Sequence, residues 1–374
     1  MREVLFVVGE ASGDLHAAKV VEALRRRAPA GLSLVGVGGD LMRANGVTLL
    51  EHVERLAVMG FVEVLQHVPK HWQLLRTLRA RIESGSVGLV VLLDYPGFNL
   101  KVAEAAHRAG VPVLYYITPQ VWAWGAGRLP KIARVVTKAA SILPFEEALL
   151  RSHGVDATFV GHPLLDRAQA LPTQAEARAQ LGLPADGPVL AVFPGSRRAE
   201  IGRHLTPFIE AAQEVQRRQP EVQVVVSVAP TVRIIPAECP FPLVQGASFV
   251  VQRAATAGLL KSGTNTLEAA VAGLPHVIGY RTSPITYAIA RRVVRIPHIG
   301  LVNVVAGREV SKEFVQDAFE PRAVADALMP MLDPASPARA EAERGLADVR
   351  SRLGTPGASE RVAGLILDML EPAS

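Results

Sequence analysis

The chain has 374 residues, 49% of them hydrophobic and 5% aromatic, with 40 Lys and Arg against 35 Asp and Glu for a formal charge of +5. That length and apolar content suit two cores better than one. A single cysteine, Cys239, excludes an internal disulfide and a cysteine-built metal site. Sparse aromatics with no basic tract among them exclude a nucleic-acid surface, and no run approaches the ~20 apolar residues of a membrane span. The opening MREVLFVVGEASGD breaks into acidic and glycine residues after about six apolar ones, unlike a secretory signal, so a reducing cytoplasm is the expected setting.

Apolar runs recur at 4–9, 32–39, 89–94, 112–117, 141–145 and 157–163, with longer segments between them. Runs that are apolar throughout, rather than alternating, read as buried parallel strands joined by crossover helices. This predicts a doubly wound α/β, Rossmann-like domain over 1–165. After a polar, alanine-rich stretch the pattern restarts at 189–196, 222–230, 243–246, 257–263 and 276–281, a second such domain over 166–340. Residues 341–374 read as C-terminal helices, broken at 354–359, that pack back across a hinge near 164–187. Ligands of open parallel sheets sit beyond the carboxyl ends of the strands, so two sheets facing each other are expected to enclose a cleft.

The first strand runs into GEASGD, where Gly9 and Gly13 lie four apart instead of in GxGxxG spacing. This argues against a nicotinamide or flavin cofactor. Gly9, Ser12, Gly13 and Asp14 are expected on the cleft floor, with helix capping by Ser12 an equal alternative. Next, Val58, Met59, Phe61, Val62, Val64 and Leu65 are too continuous for an amphipathic helix and lie outside the strand series. They form a candidate patch for a lipid surface, flanked by Lys70, Arg76, Arg79 and Arg81; a subunit interface of a homodimer is the competing use. Pro69 is expected to open a helix whose Trp72, Leu75, Leu78 and Ile82 face the core.

Asp94 ends the wholly apolar strand of LLDYPGFNL, where a charge is tolerated if it faces the cleft, and there it suits a general base. Asn99 can close its turn or reach substrate, and a cap for the following helix is the plainer use of this segment. On the loop TPQVWAW, Gln120, Trp122 and Trp124 precede Arg128, Lys131 and Arg134, an apolar floor with a phosphate-grade rim. His162 is as well suited to a structural turn as to catalysis.

Two strand-loop-helix turns in the second half are built for anions. FPGSRRAE places Gly195, Ser196 and Arg197 at one helix start, and KSGTNTLEAA places Ser262, Gly263 and Thr264 at another. Unpaired amides and the helix dipole favour a phosphate there, but the dipole supplies only about 0.3–1 kcal/mol, so Arg197 is needed as well. Glu268, one turn into the second helix, can accept from two ribose hydroxyls. In the turn-rich 299–316, Asn303, Arg308, Glu313 and Gln316 can face the cleft, although an ordinary surface helix explains Glu313 and Gln316 as well.

In order, GEASGD, GVGGDLMRANG, AVMGFVEVL, DYPGFN, TPQVWAW, LPFE, FVGHPL, FPGSRRAEI, SGTNTLEAA, GYR and NVVAGREVSKEFVQ resemble the lipid-A-disaccharide synthase family over about residues 3–330. The resemblance implies an inverting glycosyltransferase of the two-Rossmann-domain GT-B type. It would join UDP-2,3-diacylglucosamine to 2,3-diacylglucosamine 1-phosphate through a β-1,6 linkage and release UDP, with no metal required, at the inner face of the inner membrane. It makes Asp94 the base for the acceptor 6-hydroxyl and sets Arg197 against the diphosphate. Ser262, Gly263, Thr264 and Glu268 become the phosphate and ribose motif, and Asn303, Glu313 and Gln316 the uridine-side loop. It also turns 58–65 toward membrane and acyl chains. Three positions depart from the family pattern: Gly97 replaces a frequent aspartate, Val302 a frequent proline, and Asn265 a small residue. Another GT-B enzyme, such as a UDP-GlcNAc epimerase or a peptidoglycan transferase, would share the phosphate turns but not all need a lipid patch; a non-catalytic sugar-binding protein would need neither Asp94 nor Arg197.

Overall fold

The computed structural model describes residues 3–27, 32–55, 61–293 and 296–371, with only the backbone described at 61–68, 289, 290 and 293. The chain forms two compact units, residues 1–163 with 354–374, and residues 164–353. Thirteen strands occur among the described residues: β1 Glu3–Val8, β2 Leu34–Gly38, β3 Thr48–His52, β4 Val87–Leu93, β5 Val113–Tyr116, β6 Lys138–Ser141 and β7 Ala157–Phe159 in the first unit, then β8 Val189–Phe193, β9 Gln223–Val228, β10 Leu243–Gln245, β11 Ala257–Lys261, β12 His276–Tyr280 and β13 Glu313–Val315 in the second. Every pairing is parallel.

The first sheet runs β3-β2-β1-β4-β5-β6-β7 and the second β10-β9-β8-β11-β12-β13. In each, the winding direction reverses once, between β1 and β4 and between β8 and β11, and such a reversal leaves a crevice at the carboxyl ends of those two strands. Alternate residues of one strand feed opposite cores. Leu5, Val7, Leu92 and Tyr115 meet Leu75, Leu78 and Ile82 on one face, whereas Val4, Phe6, Val8 and Tyr116 meet Leu24, Val362 and Ile366 on the other. Each side chain buried this way contributes about 1.5–3 kcal/mol. The second sheet repeats the plan, with Leu190 and Val192 against Leu205 and Phe208, and Val189 and Ala191 against Val251 and Ala269.

Several expectations need correction. The strand expected at 141–145 lies at Lys138–Ser141, so Leu143–Phe145 belong to the loop beyond its carboxyl end. The helix expected to begin at Pro69 runs Phe61–Glu83 with that proline inside it. Its core stripe is Leu74, Leu75, Leu78 and Ile82, while Trp72 is 52% exposed with Lys101 Nζ 5.2 Å from its ring centre. Val58 and Met59 lie outside the described residues, as do the side chains of Phe61, Val62 and Leu65. The C-terminal segment divides between the units. Helix Pro337–Arg352 stays with the second, and Ala358–Leu370 packs on Ala11–Arg27 in the first, where Arg26 Nη2 reaches Glu360 Oε1 at 2.5 Å. No helix among the described residues is long and apolar enough to cross a membrane.

Candidate active site

In the first unit, the crevice between β1 and β4 brings the GEASGD and DYPGFN turns together. Asp94 and Tyr95 follow β4 in left-handed backbone, φ +49° and +47°, a conformation that costs about 1–3 kcal/mol per non-glycine residue unless its surroundings impose it. Here they do. Buried Asn99 donates from Nδ2 to the carbonyls of Asp94 (2.7 Å) and Leu93 (3.0 Å), and the Tyr115 hydroxyl donates to the same Asp94 carbonyl at 2.7 Å. Of its two sequence readings, Asn99 therefore takes the turn-closing one: it is fully buried and builds the corner that carries Asp94. The Asp94 side chain is half-buried at the strand end. Burial first, and the Asp94 charge second, hold the Tyr115 phenol well above its ordinary range.

Gly9 serves this same corner. A Cβ at Gly9 would lie 2.3 Å from Tyr95 Cβ, and Tyr95 in turn meets His71 Nε2 at 2.8 Å through its hydroxyl. Gly9→Ala should therefore cost about 1–3 kcal/mol in chemical denaturation, the usual penalty of overpacking, and much less in a Tyr95→Gly background, which removes the Cβ it meets. Equal costs in the two backgrounds would show that the contact does not matter. The other GEASGD residues divide. Ser12 is exposed within the first turn of helix Ala11–Arg27, so it is not that helix's N-cap. Gly13 is buried against Val8. Asp14, expected on the cleft floor, is 5% exposed and accepts from the amides of Gly39 (2.7 Å), Leu41 (3.1 Å) and Met42 (3.2 Å), where it caps helix Asp40–Ala44.

Beyond β5, Gln120 is exposed and Trp124 half-exposed, with the Arg128 guanidinium 4.9 Å from the Trp124 ring centre. Trp122 is half-buried edge-on to Phe145, and its Nε1–H donates to Glu146 at 3.0 Å. Burial raises the Glu146 carboxyl to about 7 against the pull of Trp122 and the Leu143 and Ile142 amides. The folded state thus keeps a proton that the unfolded chain releases near 4.5. Stability from this group is complete below that pH and declines as pH rises toward 7, on the order of 3 kcal/mol in all. In a Trp72→Phe, Trp124→Phe background, Trp122 emission should titrate near neutrality, and Glu146→Gln should abolish the transition. His162 is buried, and burial lowers its imidazole to about 3, so it stays neutral near pH 7.

In the second unit, the crevice between β8 and β11 holds both anion turns, and they differ. At 195–197 two of the three amides are already taken. Glu200 folds back so that Oε2 accepts from the amides of Ser196 (2.9 Å) and Arg197 (3.3 Å), and Oε1 from Arg197 Nη1 (3.3 Å) and Lys261 Nζ (2.9 Å). Gly195, at φ +135°, is what admits it, since a Cβ there would sit 2.7 Å from Glu200 Cβ. Burial raises the Glu200 pKa, but Lys261 and the loop donors outweigh it and the net shift is downward. At 262–265 the amides of Gly263, Thr264 and Asn265 donate to no protein acceptor among the described residues. Lys261 Nζ lies 3.7 Å from where a Gly263 Cβ would stand, and Ser262 Oγ is spent on the Ile299 carbonyl at 2.7 Å.

The remaining donor-side residues hold the protein to itself. Glu268 Oε1 pairs with Arg167 at 3.1 Å and Oε2 accepts from Ser248 Oγ at 2.6 Å. Asn303 is fully buried, donating to the Ser311 carbonyl and Glu313 and accepting from the Val310 and Ser311 amides. Glu313 also accepts from the Ile299 and Gly300 amides, and Gln316, at φ +54°, clamps both backbone groups of Thr282. Arg308 is exposed. Sequence reasoning missed Tyr95, Glu200 and Lys261. Lys261 carries the signal that singled out Asp94, a charge ending an apolar strand, and Glu200 stands at capping-box spacing from Arg197.

Two Rossmann-like units of this order form the GT-B fold of nucleotide-sugar enzymes. Solved structures agree at the level of fold: UDP-GlcNAc 2-epimerase from Neisseria meningitidis bound to UDP-GlcNAc (TM-score 0.66, 14% identity, 98% of this chain and 100% of that one) and the glycotransferase of kitacinnamycin (TM-score 0.64, 16% identity, 99% of each). The lipid-A-disaccharide synthetase family model matches residues 4–354. The chain is 42% identical to the lipid-A-disaccharide synthase of Geobacter metallireducens over 99% of this chain and 97% of that protein. It is 40% identical to that of Myxococcus xanthus over 99% and 98%. The chain belongs to the lipid-A-disaccharide synthetase family, whose members are glycosyltransferases.

Proposed function

We propose that this chain transfers a diacylglucosamine unit from its UDP carrier to the 6-hydroxyl of diacylglucosamine 1-phosphate, with inversion, giving the β-1,6-linked disaccharide 1-phosphate and UDP. The observation that carries the reading is the Asp94 corner. The backbone that carries this carboxylate at the carboxyl end of a central strand is held through its carbonyl by Asn99 and Tyr115, in a conformation that nothing but its surroundings would maintain. In the step proposed, Asp94 takes the proton of the acceptor hydroxyl as its oxygen attacks the anomeric carbon and the bond to the diphosphate breaks. The diphosphate is received by the open amides of 263–265 with Arg197 as its charged partner, which stabilises it as a leaving group. Gly97 leaves Asp94 as the one carboxylate of this turn. Asn303, Glu313 and Gln316 act by holding the 299–316 segment in shape, and Glu268 must exchange Arg167 or Ser248 for ribose hydroxyls if it is to bind them.

Acylated substrates call for a lipid surface. Exposed Lys70, Trp72 and Arg76 on helix Phe61–Glu83 support contact with one there, since an aromatic ring and neighbouring cations favour an anionic interface by about 1 kcal/mol per cation. The test is incubation with both diacylglucosamine substrates in mixed micelles, followed by mass detection. Disaccharide 1-phosphate with one equivalent of UDP supports the reading, whereas unreacted substrates there, with epimerisation of UDP-GlcNAc in a parallel incubation, support an epimerase.

A further inference from the structure

Glu200 and Lys261 have no place in the transfer step, yet they form a largely enclosed ion pair, each side chain 14% exposed, at the reversal point of the second sheet. They come from the two strands that flank the crevice. Lys261 ends β11 and Glu200 follows β8, and the two strands are in register at Leu260 and Phe193. One Glu200 oxygen takes the Ser196 and Arg197 amides, and the other draws Arg197 and Lys261 onto a single point. The helix carrying Glu200 is itself keyed to the sheet one turn on, where His204 Nδ1 meets the Glu200 carbonyl at 2.8 Å and its Nε2 accepts from the Arg281 amide at 2.9 Å. Enclosed ion pairs seldom stabilise more than an apolar pair of the same size would, because both charges lose their hydration. Geometry is what this pair supplies.

Resting on the donor-site reading above, we infer that Glu200 and Lys261 are positioning residues for the diphosphate. Glu200 satisfies the Ser196 and Arg197 amides internally and gathers two cations beside the open amides of 263–265, so the diphosphate is bound chiefly at that second turn. Donor affinity depends on the pair, and acceptor affinity does not. The Arg197 side chain is 60% exposed, and its 3.3 Å bond to Glu200 is long.

The experiment is calorimetric titration of UDP into the full chain and into Glu200→Gln, Lys261→Met and the double variant, with KM for each substrate and thermal midpoints measured in parallel. Glu200→Gln and Lys261→Met should each weaken UDP binding about tenfold or more and raise the donor KM, while the acceptor KM holds. The double variant should lose little beyond either single one, because each disables the same strut. Lys261→Met leaves the loop cap in place, so it remains informative if Glu200→Gln folds poorly. Lowered midpoints with unchanged UDP affinity would make the pair merely structural and overturn the inference; tighter UDP binding to Glu200→Gln would overturn it in favour of a carboxylate that competes with phosphate. Absence of UDP binding to the unaltered chain would instead remove the donor-site reading itself.

Discussion

Asp94→Asn should leave UDP affinity within about twofold of the unaltered chain and lower kcat about 10²- to 10⁴-fold, the range supplied by a positioned general base. Asparagine is the informative replacement because its side chain tolerates left-handed backbone, so the corner at φ +49° survives while the proton acceptor is lost. Asp94→Ala should remove turnover too, but it adds a destabilisation of about 1–2 kcal/mol from a residue poorly suited to that conformation. Comparing the pair separates base from backbone. UDP release at an unchanged rate from Asp94→Asn would take Asp94 out of the chemistry.

The second large effect belongs to Arg197. Its side chain is 60% exposed, and an exposed pair of the kind it makes with Glu200 contributes about 0–1 kcal/mol, so Arg197→Ala should barely move the thermal midpoint. Charge-assisted hydrogen bonds to a departing diphosphate are worth about 1.5–3 kcal/mol each, which puts the expected loss in kcat/KM at roughly 10- to 100-fold. UDP should bind more weakly as well, and Arg197→Lys should recover only part of both, because an ammonium lacks the planar fork of donors. Equal UDP affinity in Arg197→Ala would remove the residue from the site.

What the sequence discloses and what it withholds follow from the range of the interactions involved. Strands buried on both faces show themselves as continuous apolar runs, and the Asp94 and 262–265 turns show themselves as a charge or small residues closing such a run. Strand β3, TLLEH, is half-exposed at the sheet edge, and β13 spans only Glu313–Val315, so neither leaves a run long enough to notice. Pro69 misleads for a local reason. A proline inside a helix removes one hydrogen bond and costs about 3 kcal/mol, so it reads as a boundary, yet the helix passes through it with Leu74, Leu75, Leu78 and Ile82 buried along its later turns.

Asn99, Asp14, Asn303 and Glu268 teach something different. Each is a polar side chain that the sequence places near a turn, but whether it serves a ligand or the fold depends on groups brought in from elsewhere. Arg167 stands 101 residues from Glu268, and Gly39 stands 25 from Asp14. No spacing rule reaches that far. The two anion turns look alike as strings of small residues, and Glu200 filling one of them is what tells them apart.

A crystal structure of the chain with UDP bound tests the donor-site assignment most directly. Expected is a diphosphate within hydrogen-bond reach of the Gly263, Thr264 and Asn265 amides, with Arg197 turned onto it and Glu200 still seated on the amides of Ser196 and Arg197. A nucleotide bound with its phosphates away from those three amides, or with Glu200 expelled from the 195–197 loop, would contradict it.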